Sequence, residues 1–181
     1  DFDRGFNSHN SILNCEFERI GGTFQNDKSK LSYAVVRLVN SRNNVIRLNS
    51  FKLIENATKP WLLHSLYLAH NSQHNLIEKN KFFSQSGDPL RVRDFSNKNE
   101  IRENEFISAG TFAYSDWFCD ENVDNCSKRD PECPSWENRF IENKVRGSGL
   151  FKYYVNGNGG CRRKVPAGYK RLRTFSNKMA N

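Results

Sequence analysis

The sequence predicts an all-β chain built as a parallel solenoid of about five coils, and three observations lead there. A spacing of Asn, apolar, Asn, apolar recurs along the chain. The apolar positions do not recur at three, four and seven as an amphipathic helix requires. Asn and Ser are frequent throughout. With 181 residues, 36% hydrophobic and 27% charged, there is enough chain for one domain with a core, which sets aside disorder, collagen-like repeats and coiled coil. No run of about eighteen apolar residues occurs, so no transmembrane helix is expected. The opening Asp1-Phe2-Asp3-Arg4 has neither the basic start nor the apolar stretch of a signal peptide.

The repeat is N-x-[apolar]-x-x-N-x-[apolar]. It appears at Asn44, Ile46, Asn49, Phe51, at Asn75, Ile77, Asn80, Phe82 and at Asn99, Ile101, Asn104, Phe106. Two variant copies flank these: Asn10, Ile12, Cys15, Phe17, with a cysteine in the second Asn slot, and Asn138, Phe140, Asn143, Val145. The starts at 10, 44, 75, 99 and 138 lie 34, 31, 24 and 39 residues apart, a coil of about 22 to 24 residues with loops between copies. Asn tolerates the left-handed backbone region, so each repeat Asn is expected to turn the chain. If the coils stack, each side-chain amide bonds its equivalent one coil away. Ile12, Ile46, Ile77 and Ile101 then form one internal stack, and Phe17, Phe51, Phe82 and Phe106 another. Leucine-rich repeats are the rival solenoid, but their leucine-dense consensus is missing.

Counting back from the repeat Asn aligns a third strand per coil: Val35–Leu38, Leu66–Ala69 and Leu90–Arg93. Strand alternation places Val35, Leu66 and Leu90 in one inward slot and Leu68 and Val92 in the next, where Arg37 breaks the pattern. The outward columns are Val36, Tyr67, Arg91 and Leu38, Ala69, Arg93. Val39, His70 and Asp94 align just beyond the strand, and Tyr33, His64 and Asp88 just before it. Coils about 4.8 Å apart gather His64, Tyr67, His70, Arg91, Arg93 and Asp94 into one patch.

Charge divides the chain. The 28 Lys and Arg against 20 Asp and Glu give a net charge of +8, yet residues 144–181 hold ten basic and no acidic residues, leaving 18 and 20 in residues 1–143. Basicity therefore belongs to the C-terminal segment, and a nucleic-acid partner is disfavoured because the body has no basic excess. Residues 1–146 are expected to form the repeats, with an insertion at 111–134, and residues 147–181 a basic cap or tail. No cap is visible at the N-terminal end, so further coils, upstream or on a partner chain, are expected there.

The insertion carries Cys119, Cys126 and Cys133, while Cys15 and Cys161 lie far off. A loop this long is stapled or functional. One disulfide within the trio is expected, fitting an oxidising compartment. Cys15 is the expected odd cysteine, buried in its Asn slot. Zinc is disfavoured, since no C-x-x-C pair occurs.

The repeats resemble those of the right-handed parallel β-helix superfamily, the fold of pectate lyases, alginate lyases, chondroitinase B and mannuronan epimerases. The resemblance covers roughly residues 7–145. The W-x-x-H-S-x-Y run from Trp61 to Tyr67 is similar to the H-G-x-Y stretch of such solenoids, with Ser65 replacing the glycine. The resemblance implies a secreted, cell-surface or periplasmic protein acting on acidic polysaccharide, a lyase or epimerase, with a non-catalytic carbohydrate-binding or adhesion solenoid as the alternative. Its catalytic residues would be His64, Tyr67, His70, Arg91 and Arg93. The arginines would neutralise a uronate carboxylate, and Tyr67, His64 or His70 would serve as base or acid. Asp88, Asp94 and Trp117 would contact substrate. The same residues also fit a solvated ion-pair surface of little energetic weight. No resident metal is assigned, although many relatives use calcium, for which Asp116, Asp120, Glu121 and Asp124 are the available oxygens.

Overall fold

The computed structural model describes residues 6–22, 34–57, 59–120, 131–158, 160–163, 165 and 167–180. Their regular elements are all β-strands apart from one 3-10 turn at Pro60–Leu62. The strands lie in parallel in three long sheets, each strand hydrogen-bonded to its counterpart one repeat away, an arrangement consistent with a parallel β-solenoid. The first sheet runs Ser11–Leu13, Val45–Arg47, Leu76–Glu78, Glu100–Arg102, Asn138–Ile141, Leu172–Phe175. The second runs Glu16–Glu18, Ser50–Asn56, Lys81–Gln85, Glu105–Ala109, Lys144–Arg146, Lys178–Ala180. The third runs Ala34–Val39, His64–Ala69, Leu90–Val92, Phe112–Asp116, Gly149–Tyr153. The basic tail thus contributes a strand to each sheet. No helix among the described residues is long and apolar enough to cross a membrane.

The repeat residues stack as their spacing implies. Ile12, Ile46, Ile77 and Ile101 are register neighbours on successive coils, followed by Phe140. Phe17, Phe51, Phe82 and Phe106 form a column of parallel rings with centroids 4.8, 5.1 and 4.7 Å apart. One buried cluster draws members from all three sheets, including Ile77, Phe82, Leu66 and Leu90, so the three sheets share a core.

Two columns of asparagine tie the coils together. In the first, the backbone N–H of Asn44 donates to Asn75 Oδ1 at 3.0 Å, that of Asn75 to Asn99 at 3.0 Å and that of Asn99 to Asn138 at 2.9 Å. In the second, Asn49 donates to Asn80, Asn80 to Asn104, Asn104 to Asn143 and Asn143 to Asn177, all at 2.9–3.0 Å. The Nδ2 groups of Asn75 and Asn99 in the first column and of Asn49, Asn80, Asn104 and Asn143 in the second also donate forward to the next amide oxygen and back to a carbonyl, as Asn80 does to Asn104 Oδ1 and Ile46 O.

The sharp turn is not made by these residues. The positive φ falls on the residue before each one: His9, Asn43, His74, Lys98 and Glu137 in one column, and Asn14, Leu48, Lys79, Glu103, Glu142 and Ser176 in the other. The expectation that the repeat Asn adopts the left-handed conformation is therefore corrected. The amide is selected for its hydrogen-bonding reach, and the strained turn is left to its neighbour, which is rarely Asn.

The third sheet corrects the register by one residue at its first strand. Val36 and Leu38 face Leu66 and Leu68, and Arg37 faces Tyr67 on the outer side. A one-residue slip swaps every side chain between faces, and this register keeps the Arg37 guanidinium out of the core. Beyond the strand it is Asn40, whose N–H donates to His70 O, and not Val39, that sits beside His70. Tyr33 lies outside the described residues.

Cys133 is bonded to Cys161 across 28 residues, and Cys119 is also disulfide-bonded. Cys126 lies outside the described residues. Among the described residues Cys15 is the free cysteine, as expected, but it is exposed rather than buried. Its coil has no described coil beneath it, and its own N–H donates to Asn49 Oδ1 at 2.9 Å.

Asn80→Ala is expected to lower the free energy of unfolding by about 3 kcal/mol in urea titrations, because the buried Asn49 N–H and Ile46 carbonyl both lose their partner. Asn10→Ala, on the exposed first coil, is expected to cost about 1 kcal/mol or less.

Candidate functional site

Register brings the expected residues together on the outer face of the third sheet. Leu66, Leu90 and Tyr114 follow one another on the inward side, which turns Tyr67, Arg91 and Ser115 outward on successive coils. Arg91 Nε donates to Ser115 Oγ at 2.7 Å, and Nη2 lies 3.4 Å from Asp88 Oδ2. Asp88 also accepts the Phe112 N–H at Oδ1 and the Tyr154 O–H at Oδ2, both at 2.9 Å. The Tyr154 ring lies under the Arg91 guanidinium, 4.8 Å away. Arg93 forks onto Glu132 through Nε and Nη2 at 2.6–3.0 Å, donates from Nη1 to the Tyr67 oxygen at 3.3 Å and covers Trp117 at 4.3 Å. His70 Nδ1 is 2.9 Å from Asp94 Oδ2, whose other oxygen accepts the Cys133 N–H at 3.2 Å.

The expected patch therefore exists, but it is a packed layer beneath two covering segments. Trp117 and Glu132 come from the insertion and Tyr154 from the tail, and the Cys133–Cys161 disulfide joins those segments. Tyr67 is only 4% exposed and His64 only 3%. His64 Nδ1 is 2.7 Å from the Asp88 carbonyl, which can only accept, so that nitrogen carries the hydrogen. Burial, reinforced by the Arg91 charge, pushes the His64 imidazole down to about 3. The ring is neutral at ordinary pH. Burial works against the Arg93 charge, yet the Glu132 fork and Tyr67 hold that guanidinium above its usual range. Burial, then the Asp88 carboxylate, pushes Tyr154 up to about 12, which keeps its hydroxyl a donor.

Two participants escaped the sequence reading. Glu132 and Tyr154 lie in segments with no periodicity, which carry no signal of which coil they cover. Asp116 was legible: it follows Val92 in an inward column. Its carboxylate is fully buried and meets Arg171 Nη2 of the tail at 2.9 Å. Burial, opposed by Arg171, raises it to about 6. The reading of Asp116 as a loop oxygen for calcium is corrected accordingly, since it faces the core. Asp120 is buried as well, and Glu121 and Asp124 lie outside the described residues.

Among the described residues, His70, Asp94 and Glu132 each offer one ligand atom, all within 4.8 Å of one another, a spacing that can gather around a cation. Both Glu132 oxygens already accept from Arg93, and Oε2 also takes the Cys119 N–H at 2.8 Å. The Arg93 cation balances the Glu132 charge within the protein. Comparison of the chain with family models, with curated proteins and with solved structures gives no match.

The pH dependence of stability follows from His64. Its folded pKa lies below the unfolded value of 6.5, so the unfolded chain takes up more protons between pH 6.5 and 3, and stability falls as pH drops through that window. Asp116 acts oppositely between about 6 and 3.8, since there the folded state holds the extra proton. Denaturant titrations of wild type and His64→Gln are expected to show the wild-type advantage shrinking by about 2 kcal/mol from pH 7 to pH 5.

Proposed function

We propose that the chain is a right-handed parallel β-helix of the pectate lyase-like kind that works in an oxidising, extracellular setting as a non-catalytic module binding acidic polysaccharide. One observation carries the partner class. Lys144 and Lys178 are register partners on successive coils of the second sheet, exposed, with Arg146 beside them. None of the three has an ion-pair partner among the described residues. Like charges directly opposite across a sheet are destabilising. A polyanion laid along these coils relieves that repulsion and exchanges its own counterions for fixed cations. The Cys133–Cys161 disulfide supports the oxidising compartment.

The third-sheet patch lends elimination chemistry little support. A lyase needs a base that reaches the sugar and a cation that meets the carboxylate. Here His64 is neutral and held to a backbone carbonyl, Tyr67 is buried, and Arg93 is committed to Glu132.

Affinity electrophoresis through gels containing polygalacturonate or alginate tests the reading. Retention is expected, weakening as salt rises, with at least about a tenfold loss for the Lys144→Glu/Lys178→Glu double variant, the loss expected when one strong charge contact is removed. Migration unaffected by every uronic-acid polymer rejects the partner class. Growth of ultraviolet absorbance from an unsaturated product rejects the non-catalytic assignment and restores the lyase.

A further inference from the structure

Among the described residues no coil lies on the outer side of the first coil, residues 7–22 and 34–39, or of the last, residues 149–153 and 172–180. Inward residues that are sealed in the middle of a column are therefore open at its end. In the second sheet Phe51, Phe82, Phe106 and Val145 are at most 1% exposed, yet Met179, next in register, is 57% exposed. In the third sheet Tyr114 is fully buried, while its register partner Phe151 is 38% exposed. Unpaired strand edges beside a bare core are templates for another chain, and solenoids need such ends covered.

The direction of the amide columns decides what can cover them. Asn10 Nδ2 donates forward to Asn44 Oδ1 at 3.0 Å, while Asn10 Oδ1 accepts from no described residue. Asn177 does the reverse: its Nδ2 donates back to Phe140 O at 2.8 Å, and among the described residues it makes no forward bond. The first end thus offers an amide oxygen and the last end offers donors. Like ends brought together leave both unmet, whereas opposite ends of two copies complement each other.

Register extends across such a junction. Met179 falls on Phe17, Thr174 on Ile12 and Phe151 on Val36, so all three inward columns continue. A thioether against an aromatic ring is itself favourable. On the outer face Lys178 falls opposite Glu16, and Phe175, 47% exposed, opposite Leu13, 45% exposed. Lys152 falls opposite Arg37, a repulsion that the Lys178–Glu16 pair offsets.

We propose that the two ends form a head-to-tail interface through which copies of this chain stack into one continuous solenoid. The last coil of one copy covers the first coil of the next. Because the contact joins unlike surfaces without closing on itself, it builds filaments rather than a dimer. Leu172, in the first-column slot of the last coil, donates its N–H to Asn10 Oδ1 of the next copy. The second column stops at the junction, because Asn177 meets Cys15, whose sulfur is a weak acceptor. Cys15 thereby restrains growth.

The test is sedimentation velocity of the 181-residue chain over a concentration series, without polysaccharide. The average mass is expected to rise with concentration past that of a dimer. Leu13→Asp, at an exposed position outside the Lys144/Lys178 strip, is expected to stay monomeric. Cys15→Asn restores an amide acceptor and is expected to tighten association about fivefold, the factor for one net hydrogen bond. Asn177→Cys puts a thiol one coil from Cys15 of the next copy, a Cα separation of about 4.8 Å, inside the range of about 4.4–6.8 Å that disulfides span. Mild oxidation is expected to give a ladder of covalent multimers on non-reducing gels, lost when Cys15→Ser is added. A chain that stays monomeric throughout, growth that stops at a dimer, Leu13→Asp associating like wild type, or a ladder that survives Cys15→Ser each overturns the proposal. It stands apart from the polysaccharide reading: sedimentation is run without polymer, so either can fail while the other holds.

Discussion

The inner coils bury their turns, and a buried backbone N–H needs an acceptor. The asparagine columns meet that requirement, and most other features depend on it. Once Asn75 Oδ1 must accept from Asn44 and Asn80 Oδ1 from Asn49, the coils can stack in only one register. That register puts Ile over Ile and Phe over Phe, and the resulting ring column fills the core at van der Waals spacing. It also sets the outer face, because alternation leaves Tyr67, Arg91 and Ser115 no other side on which to emerge.

What could be read from the sequence follows the same division. The Asn spacing recurs with few substitutions, so the Ile and Phe stacks, the amide bonding between coils and the clustering of His64, Tyr67, Arg91 and Arg93 were all legible. The first strand of the third sheet misled by one residue. Val35 and Val36 are adjacent and equally apolar, and Arg37 alone signals the face. The covering of the patch was not legible. Trp117, Glu132 and Tyr154 lie in segments whose position depends on a disulfide and ion pairs formed at long range, not on a local period. Asp116 and Arg171 fall between these cases: the acid stood at an inward position, but its partner lies 55 residues on.

The polar layer on the third sheet bonds largely within itself and to the segments above it. Arg91, Asp88 and Tyr154 complete one another's bonding, as do Arg93, Glu132 and Tyr67. Such networks are costly when half satisfied and rigid when complete. Here they fasten an insertion and a tail, neither of which carries the repeat, onto a surface that otherwise has only strand faces to offer. The same fastening places Val165 and Tyr169 over Phe95 and Trp136.

The amide columns also have a direction. Each coil supplies an oxygen to the coil before it and relies on the following one for its own donors. A chain emerging from its N-terminus therefore holds its newest turn incomplete until the next arrives, and losing one amide weakens the preceding turn more than the following one. Such a stack hardens in the order of synthesis and loosens against it, a polarity that its mirror-like repetition of side chains would not disclose.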